Sequence, residues 1–310
     1  MSTSVTAKKD VRKPNLLLRL LRLLNPINQV GIIKVFIIPW LLNLRNQHHY
    51  TLLNEAQLRA TRKSDTIFIF GSGYSISDIT EPEWSHFEQH DTLSFNWFVH
   101  QDFVRIDYHL IREICRHVDD PSVWRPKIEE YSGLLAHNPH YVDTVFLVHA
   151  GIRATMGNRI IGLKQLRPGA STFRFKNPAD RGGQQPPSPS LSRGLSHDGT
   201  LADCVNFAYL LGWKQIILVG VDLYDRRYFW LGYEETREGD LRRGASHQDQ
   251  HNVADTTISI MGMWRELFAK DGVGLCVYNP HSLLTQVMPV YQLNGLCIFK
   301  GKTTLGETKA

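Results

Sequence analysis

Five short segments of this chain carry residue types that could hold a phosphate or move a proton. The first runs from Asp65 to Ser75, where an apolar run breaks into Gly71-Ser72-Gly73-Tyr74-Ser75. Two glycines let a backbone turn sharply and come close to a ligand, and exposed N–H groups at a helix start suit a phosphate. The turn lacks the third glycine of a dinucleotide fingerprint and the lysine of a P-loop, so it favours neither NAD nor ATP. A plain strand-to-helix turn would use the same residues. The second segment is Ser94-Phe95-Asn96-Trp97-Phe98. An amide among aromatics at a strand end needs partners, which fits a ligand or a turn. The third is Gly220-Val221-Asp222-Leu223-Tyr224, with Tyr228 just beyond. Asp222 can cap the next turn or touch a ligand, and the two tyrosines can pack their rings or reach a phosphate. The fourth holds His247 and His251. That spacing suits a general base, a solvated pair or a zinc pair, although no third ligand is evident nearby and no Glu follows His247 as in a zincin. The fifth is Asn279-Pro280-His281-Ser282-Leu283-Leu284, in which Ser282 reads by default as a helix cap.

The elements that must position these groups show a strand, turn, helix pattern. Short β-rich runs at Thr66 to Phe70, Thr92 to Phe98, Arg105 to Leu110 and Thr144 to His149 are separated by polar stretches, as in parallel strands with crossover helices. The clearest unit is a helix from Asp203 to Leu211, a C-capping Gly212, and a buried strand from Gln215 to an acidic turn at Asp222. A helix from Asp255 to Lys270 and a strand from Leu275 to Tyr278 come after it. The fold class predicted is α/β: a Rossmann-like, mostly parallel sheet flanked by helices, with ligands at the C-terminal ends of its strands. Residues 61–310 form the catalytic domain, with a mobile loop at 177–198 and a lid at 225–254.

With 310 residues, 42% hydrophobic and 21% charged, the chain can bury a full core, which excludes a disordered or fibrous protein. Its net charge of +5 is unevenly placed: Lys8, Lys9, Arg12, Lys13, Arg19 and Arg22 all precede the first glycine turn. Residues 1–60 therefore read as a basic, leucine-rich arm that meets a membrane or a second subunit. The run from Val30 to Leu42 is interrupted by Lys34 and Pro39 and is too short to span a bilayer. The arm lacks the interleaved pattern of a nucleic-acid surface. Cys115, Cys204, Cys276 and Cys297 are widely spaced, and no secretory signal is evident, so reduced thiols in a cytoplasmic compartment are expected, without zinc or disulfides.

The order and spacing of the five segments resemble the bacterial CMP-sialic-acid-dependent sialyltransferases of glycosyltransferase family 42. Those enzymes carry a Gly-Asn-Gly-Pro-Ser turn, a Cys-Asn-Gln-Phe segment, a Leu-Gly-Tyr-Lys-Glu-Ile…Gly-Ile-Asp-Phe-Tyr unit, a His-x-x-x-His lid and a Pro-Asn-Ser-Leu-Leu segment. Leu211-Gly212-Trp213-Lys214-Gln215-Ile216 through Tyr224 is similar to the central unit almost residue for residue, and the likeness extends from about Thr66 to Val290. Ser72 and Tyr74 stand where the family has asparagine and proline, and a second family asparagine falls near His109.

The resemblance implies a GT-A-like variant of the fold and a glycosyltransferase that moves sialic acid, or a related sugar such as Kdo, from a CMP donor to a cell-surface glycan such as lipopolysaccharide or capsule. It implies no cofactor and no metal. Asn96 would contact the nucleotide, Tyr224 and Tyr228 the departing phosphate, and His251 would deprotonate the acceptor. Gly71, Ser72, Gly73, Ser75, Thr200, Gly220, Asp222 and Ser282 would line the donor site. The expected location is the inner face of the cytoplasmic membrane, reached through residues 15–42. Two other readings of the same sheet are a Mg²⁺-dependent nucleotide phosphotransfer enzyme of pterin pyrophosphokinase type, with Asp222 and Asp225 as ligands, and a non-catalytic nucleotide- or glycan-binding module.

Overall fold

The computed structural model describes residues 26–112, 121–152, 154–176, 187–191, 199–224, 227–231 and 253–299. Its centre is a ten-stranded sheet in the order β1-β6-β5-β4-β3-β2-β7-β8-β9-β10. The strands are β1 Thr51–Leu52, β2 Thr66–Phe70, β3 Asp91–Phe95, β4 Tyr108–Ile111, β5 Val145–Ala150, β6 Ser171–Lys176, β7 Gln215–Val219, β8 Gly274–Val277, β9 Val290–Tyr291 and β10 Cys297–Ile298. Every neighbouring pair is parallel except β9 with β10. The expected α/β class and parallel sheet are therefore present.

Strand order reverses beside β2. From β2 the chain builds outward through β3, β4, β5 and β6 on one side, then returns to lay β7 and β8 on the other. In an open α/β sheet the loops diverge at such a point and leave a crevice at the strand C-termini. The turns after β2 and β7 meet there, so both glycine-containing segments converge on one place.

Both sheet faces are buried, which explains the continuous apolar runs in the central strands. Successive side chains of β2 alternate: Ile67 and Ile69 join one core, while Phe68 and Phe70 join the other. The first core is covered by two helices, Thr200–Leu211 and Val253–Lys270, through Phe207, Leu211, Trp264 and Phe268. The second is covered by Glu81–Phe87, Pro121–His137 and Thr155–Gly162. Gly212 ends its helix in the left-handed region at φ 92°, as its sequence position predicts.

Part of the N-terminal arm lies on this body. Pro26–Ile32 and Ile38–Asn46 are α-helical, joined by a π-turn at Ile33–Ile37 in which the Ile38 amide reaches the Ile33 carbonyl. Pro39 comes at once after it. A proline in a regular helix lacks the N–H and crowds the carbonyl four residues earlier, and the wider turn accommodates it. Asn43 Nδ2 donates to Asn158 Oδ1 at 2.5 Å, and Asn46 donates to the Gly162 carbonyl at 2.7 Å, docking this helix on Thr155–Gly162. The basic leucine-rich stretch 15–24 lies outside the described residues.

One cysteine expectation is corrected. Cys276 and Cys297 form a disulfide, whereas Cys204 is free and buried. Their separation of 21 residues concealed the pairing. It arises because β9 lies parallel beside β8, the strand that carries Cys276, and β10 turns back antiparallel along β9. Loss of a cross-link over a loop of this length costs about 3 kcal/mol. The Cys276→Ser variant is therefore expected to unfold at lower denaturant, and thiol reductant should shift the wild type, but not the variant, to the same midpoint.

Candidate nucleotide-sugar site

The crevice between β2 and β7 has a floor built around one carboxylate. Asp222 is buried, and its Oδ1 accepts from the Ser75 hydroxyl at 2.5 Å and from Asn279 Nδ2 at 2.7 Å. Its Oδ2 accepts from the Ser75 amide at 3.0 Å. Three turns, after β2, β7 and β8, are thus tied to a single side chain.

The glycines serve that convergence. Gly71 donates its amide to the Val219 carbonyl and Gly73 to the Gly220 carbonyl, each at 2.8 Å. A Cβ on Gly73 would sit 2.5 Å from Asp222 Oδ2 and 2.7 Å from the Gly220 oxygen, and one on Gly71 would sit 2.6 Å from that same oxygen. These two amides are thus paired with β7 and its turn, as in the plain structural turn that the same residues allow. The glycine turn also leads into a short 3₁₀ turn, Tyr74–Asp78, and not into a long helix. Its Ser75 amide already faces a carboxylate, which takes the place of an incoming anion.

Other polar groups of the floor are also paired within the protein. The Ser282 hydroxyl donates to the Val221 carbonyl at 2.6 Å and accepts from the Leu284 amide at 3.2 Å, so it caps a 3₁₀ turn, close to the helix cap that its sequence position suggests by default. Asp222 and Ser75 are likewise satisfied within the protein. Gly220, at φ 66°, packs where a Cβ would strike Ile76, and its role is the turn itself. Asn279 is the partner that residue-by-residue reading missed. Its position after β8, opposite an acidic strand end, was the available signal.

Above the floor lie the remaining polar groups of the strand ends. Asn96 ends β3 at φ 50°, a left-handed conformation uncommon for any residue but glycine. Its Nδ2 donates to Thr200 Oγ1 at 3.3 Å, while its buried Oδ1 has no partner among the described residues. Thr200 opens the helix Thr200–Leu211. Leu223, at φ 63°, is a second left-handed residue on this edge and precedes Tyr224. The segment carrying Tyr228 crosses back over the glycine turn: Tyr228 bridges Gly73, and the Phe229 amide reaches the Ser72 carbonyl at 3.4 Å. The structure thus brings Ser72, Asn96, Thr200, Tyr224 and Tyr228 to one strand-end region. His247, His251 and Asp225 lie outside the described residues.

An aromatic stack absent from the sequence reading flanks this region. His100 stacks on Trp230 with ring centroids 4.8 Å apart and lies 5.6 Å from Trp97, while Trp230 also stacks on Tyr228 at 4.5 Å. Burial holds the His100 imidazole below its ordinary value, opposed by the nearby Glu130 carboxylate. The stack fixes residues 228–230 against the 3₁₀ turn Asn96–His100.

His109, near which the resemblance places a second asparagine, is fully buried. Its Nδ1 shares a proton with Ser94 Oγ at 2.7 Å, and its Nε2 meets the Tyr131 hydroxyl at 2.5 Å. Burial pushes its pKa down to about 3. It is a satisfied core histidine beneath the site.

Comparison with known proteins adds little beyond these residues. No protein-family model matches the sequence, and no curated protein does. The chain is similar in structure to the monofunctional alpha-2,3-sialyltransferase Cst-I from Campylobacter jejuni, at 12% identity and a TM-score of 0.42, over 80% of this chain and 88% of that one. It is also similar to the sialyltransferase CST-II, solved with a trisaccharide acceptor and CMP, at 15% identity and a TM-score of 0.43, over 77% of this chain and 91% of that one. Likeness at this depth fixes no residue's role.

Two outcomes are expected from the floor and the core beneath it. Asp222→Ala leaves the Ser75 amide and hydroxyl and the Asn279 amide unpaired, and Gly73→Ala forces a Cβ into backbone and carboxylate. Each should lower unfolding free energy by about 2–4 kcal/mol in denaturant titration. For His109, the folded pKa lies below the unfolded value of 6.5. The unfolded chain therefore binds the extra proton, and stability is lost as pH falls from about 6.5 toward 3 and is unaffected above that window. His109→Gln should flatten the stability–pH slope there by up to about 1.4 kcal/mol per pH unit.

Proposed function

We propose that this chain is a glycosyltransferase that moves sialic acid, or a related sugar, from a CMP donor to a glycan acceptor without a metal ion. The observation that carries the reading is Asn96. A half-buried amide with one end tied to Thr200 and its buried carbonyl oxygen unpaired among the described residues is costly to keep, and such unsatisfied groups are retained where a ligand is held. A carbonyl acceptor there suits the exocyclic amino group of cytosine, which donates hydrogen bonds. The sequence resemblance assigns the same residue to the nucleotide.

The remaining roles come from what the reaction needs. A CMP leaving group departs readily, so the enzyme must stabilise charge growing on the phosphate and remove one proton from the acceptor hydroxyl. Tyr224 and Tyr228 are the hydroxyl donors for the phosphate, a task that divalent ions perform in other nucleotide-sugar enzymes. Thr200 and Ser72 complete the polar lining. His251, a residue that titrates near neutrality, is the acceptor base. A lid over 225–254 would exclude the water that otherwise hydrolyses the donor.

The phosphotransfer alternative asks Asp222 to bind Mg²⁺. Both of its oxygens already accept from Ser75 and Asn279, and turning them to a metal would strand those donors.

The test is thermal stabilisation of the purified chain by CMP, UDP, GDP, ADP and ATP, each with Mg²⁺ and with chelator. CMP should stabilise selectively and survive chelation, and Asn96→Gly, which keeps the left-handed backbone without strain, should remove that stabilisation with only a small change in the unliganded midpoint. Stabilisation only by ATP or GTP with Mg²⁺ would overturn the reading. Given CMP binding, Tyr224→Phe, Tyr228→Phe and His251→Ala are each expected to lower turnover by about 10²-fold or more.

A further inference from the structure

The helical segment from residue 26 to 46 exposes apolar side chains where a surface helix normally carries polar ones. Val30, Ile32, Ile33, Ile38, Leu41 and Leu44 are each between 37% and 52% exposed. The opposite side is spent on the domain: Val35, Pro39 and Asn43 are buried, at four-residue spacing. Gly162 of the supporting helix sits where a Cβ would lie 2.9 Å from Leu42 and 3.0 Å from the Asn43 amide, so the two helices are in close contact. Leu163, the next residue, adds another exposed side chain beside them. A cluster of exposed apolar side chains of this kind marks a contact surface.

Charge identifies the occupant. From Val11 to Asn54 the chain contains no Asp or Glu, whereas Arg12, Lys13, Arg19, Arg22, Lys34 and Arg45 all fall within it. Lys34, within the apolar stretch, and Arg45, at its end, are exposed. Two copies meeting through this face would bring like charges together at every basic position, without an acidic partner in the stretch. A negatively charged lipid surface satisfies both features, since headgroups attract the bases and the acyl boundary takes the apolar side chains. We propose that the exposed face of residues 30–44 seats the protein on an anionic phospholipid bilayer, with the helix lying in the plane of the interface. One flank of the helix is fixed to the domain, so this segment cannot also pass through the bilayer. Among the described residues, no helix is long and apolar enough to cross a membrane.

This contact is independent of the transferase reading, because it uses none of the strand-end residues. The test is co-sedimentation of the full chain with vesicles of phosphatidylcholine alone and of phosphatidylcholine with phosphatidylglycerol, at low and high salt. The wild type should pellet with the anionic vesicles at low salt and be released by high salt. Replacing Val30, Ile33, Leu41 and Leu44 together by serine should weaken that binding by about tenfold or more, since each loses apolar surface from the interface. These four side chains are exposed, so the thermal midpoint and the response to CMP should stay at wild-type values. Wild type left in the supernatant with anionic vesicles, or a fourfold variant that pellets as well as wild type, would overturn the proposal. Conversion of a dimer into a monomer by the same substitutions, seen by light scattering with vesicle binding unchanged, would assign the face to a second copy instead.

Discussion

The buried carboxylate of Asp222 is the constraint on which the strand-end region depends. It gathers the turns after β2, β7 and β8 by accepting three hydrogen bonds from two residues, Ser75 and Asn279. A charged acceptor in a buried place is costly unless every lone pair finds a donor, and here neutral donors from distant turns supply them. The glycines are dictated by it. Gly71 and Gly73 must lack a Cβ because Gly220 and Asp222 lie against them, so the motif that looks like a phosphate loop is a seam between two halves of the sheet.

On the proposed reading, contact with the donor falls to groups above that seam. Asn96 and Leu223 both adopt left-handed backbone conformations beyond β3 and β7; asparagine tolerates that region, whereas leucine adopts it only when neighbouring structure insists. Asn96 is held between its strand and Thr200, and the 228–230 segment is pinned by the stack of Trp97, His100, Trp230 and Tyr228. A rigid floor with polar groups at its rim suits a reaction whose main demand is positioning and charge stabilisation.

Legibility from sequence tracked the range of the interactions involved. The unit from Asp203 to Asp222 was readable, its helix beginning three residues earlier at Thr200, because its signals are local: a helical apolar pattern, a glycine C-cap and a continuous strand. β2, β4, β5 and β8 were readable within a few residues. β3 was extended too far, because Asn96 turns the chain into the left-handed region, and nothing in its neighbours announces that. β6 escaped because Ser171-Thr172-Phe173-Arg174-Phe175-Lys176 carries two basic residues, yet it pairs with β5 and β1 and buries both phenylalanines. The roles of Gly73, Ser75 and Ser282 depend on partners far along the chain, as does the Cys276–Cys297 bond. Asp222 lies 147 positions from Ser75, beyond the reach of any local pattern.

Hydrogen–deuterium exchange of the intact chain with and without CMP, read by peptide mass spectrometry, tests the central claim that this sheet edge is a nucleotide site. Bound CMP is expected to slow exchange in peptides covering residues 94–101, 199–204 and 220–231, and to leave the outer strands β5 and β6 unchanged. Protection confined to other parts of the chain, or no CMP-dependent protection at saturating nucleotide, would contradict it.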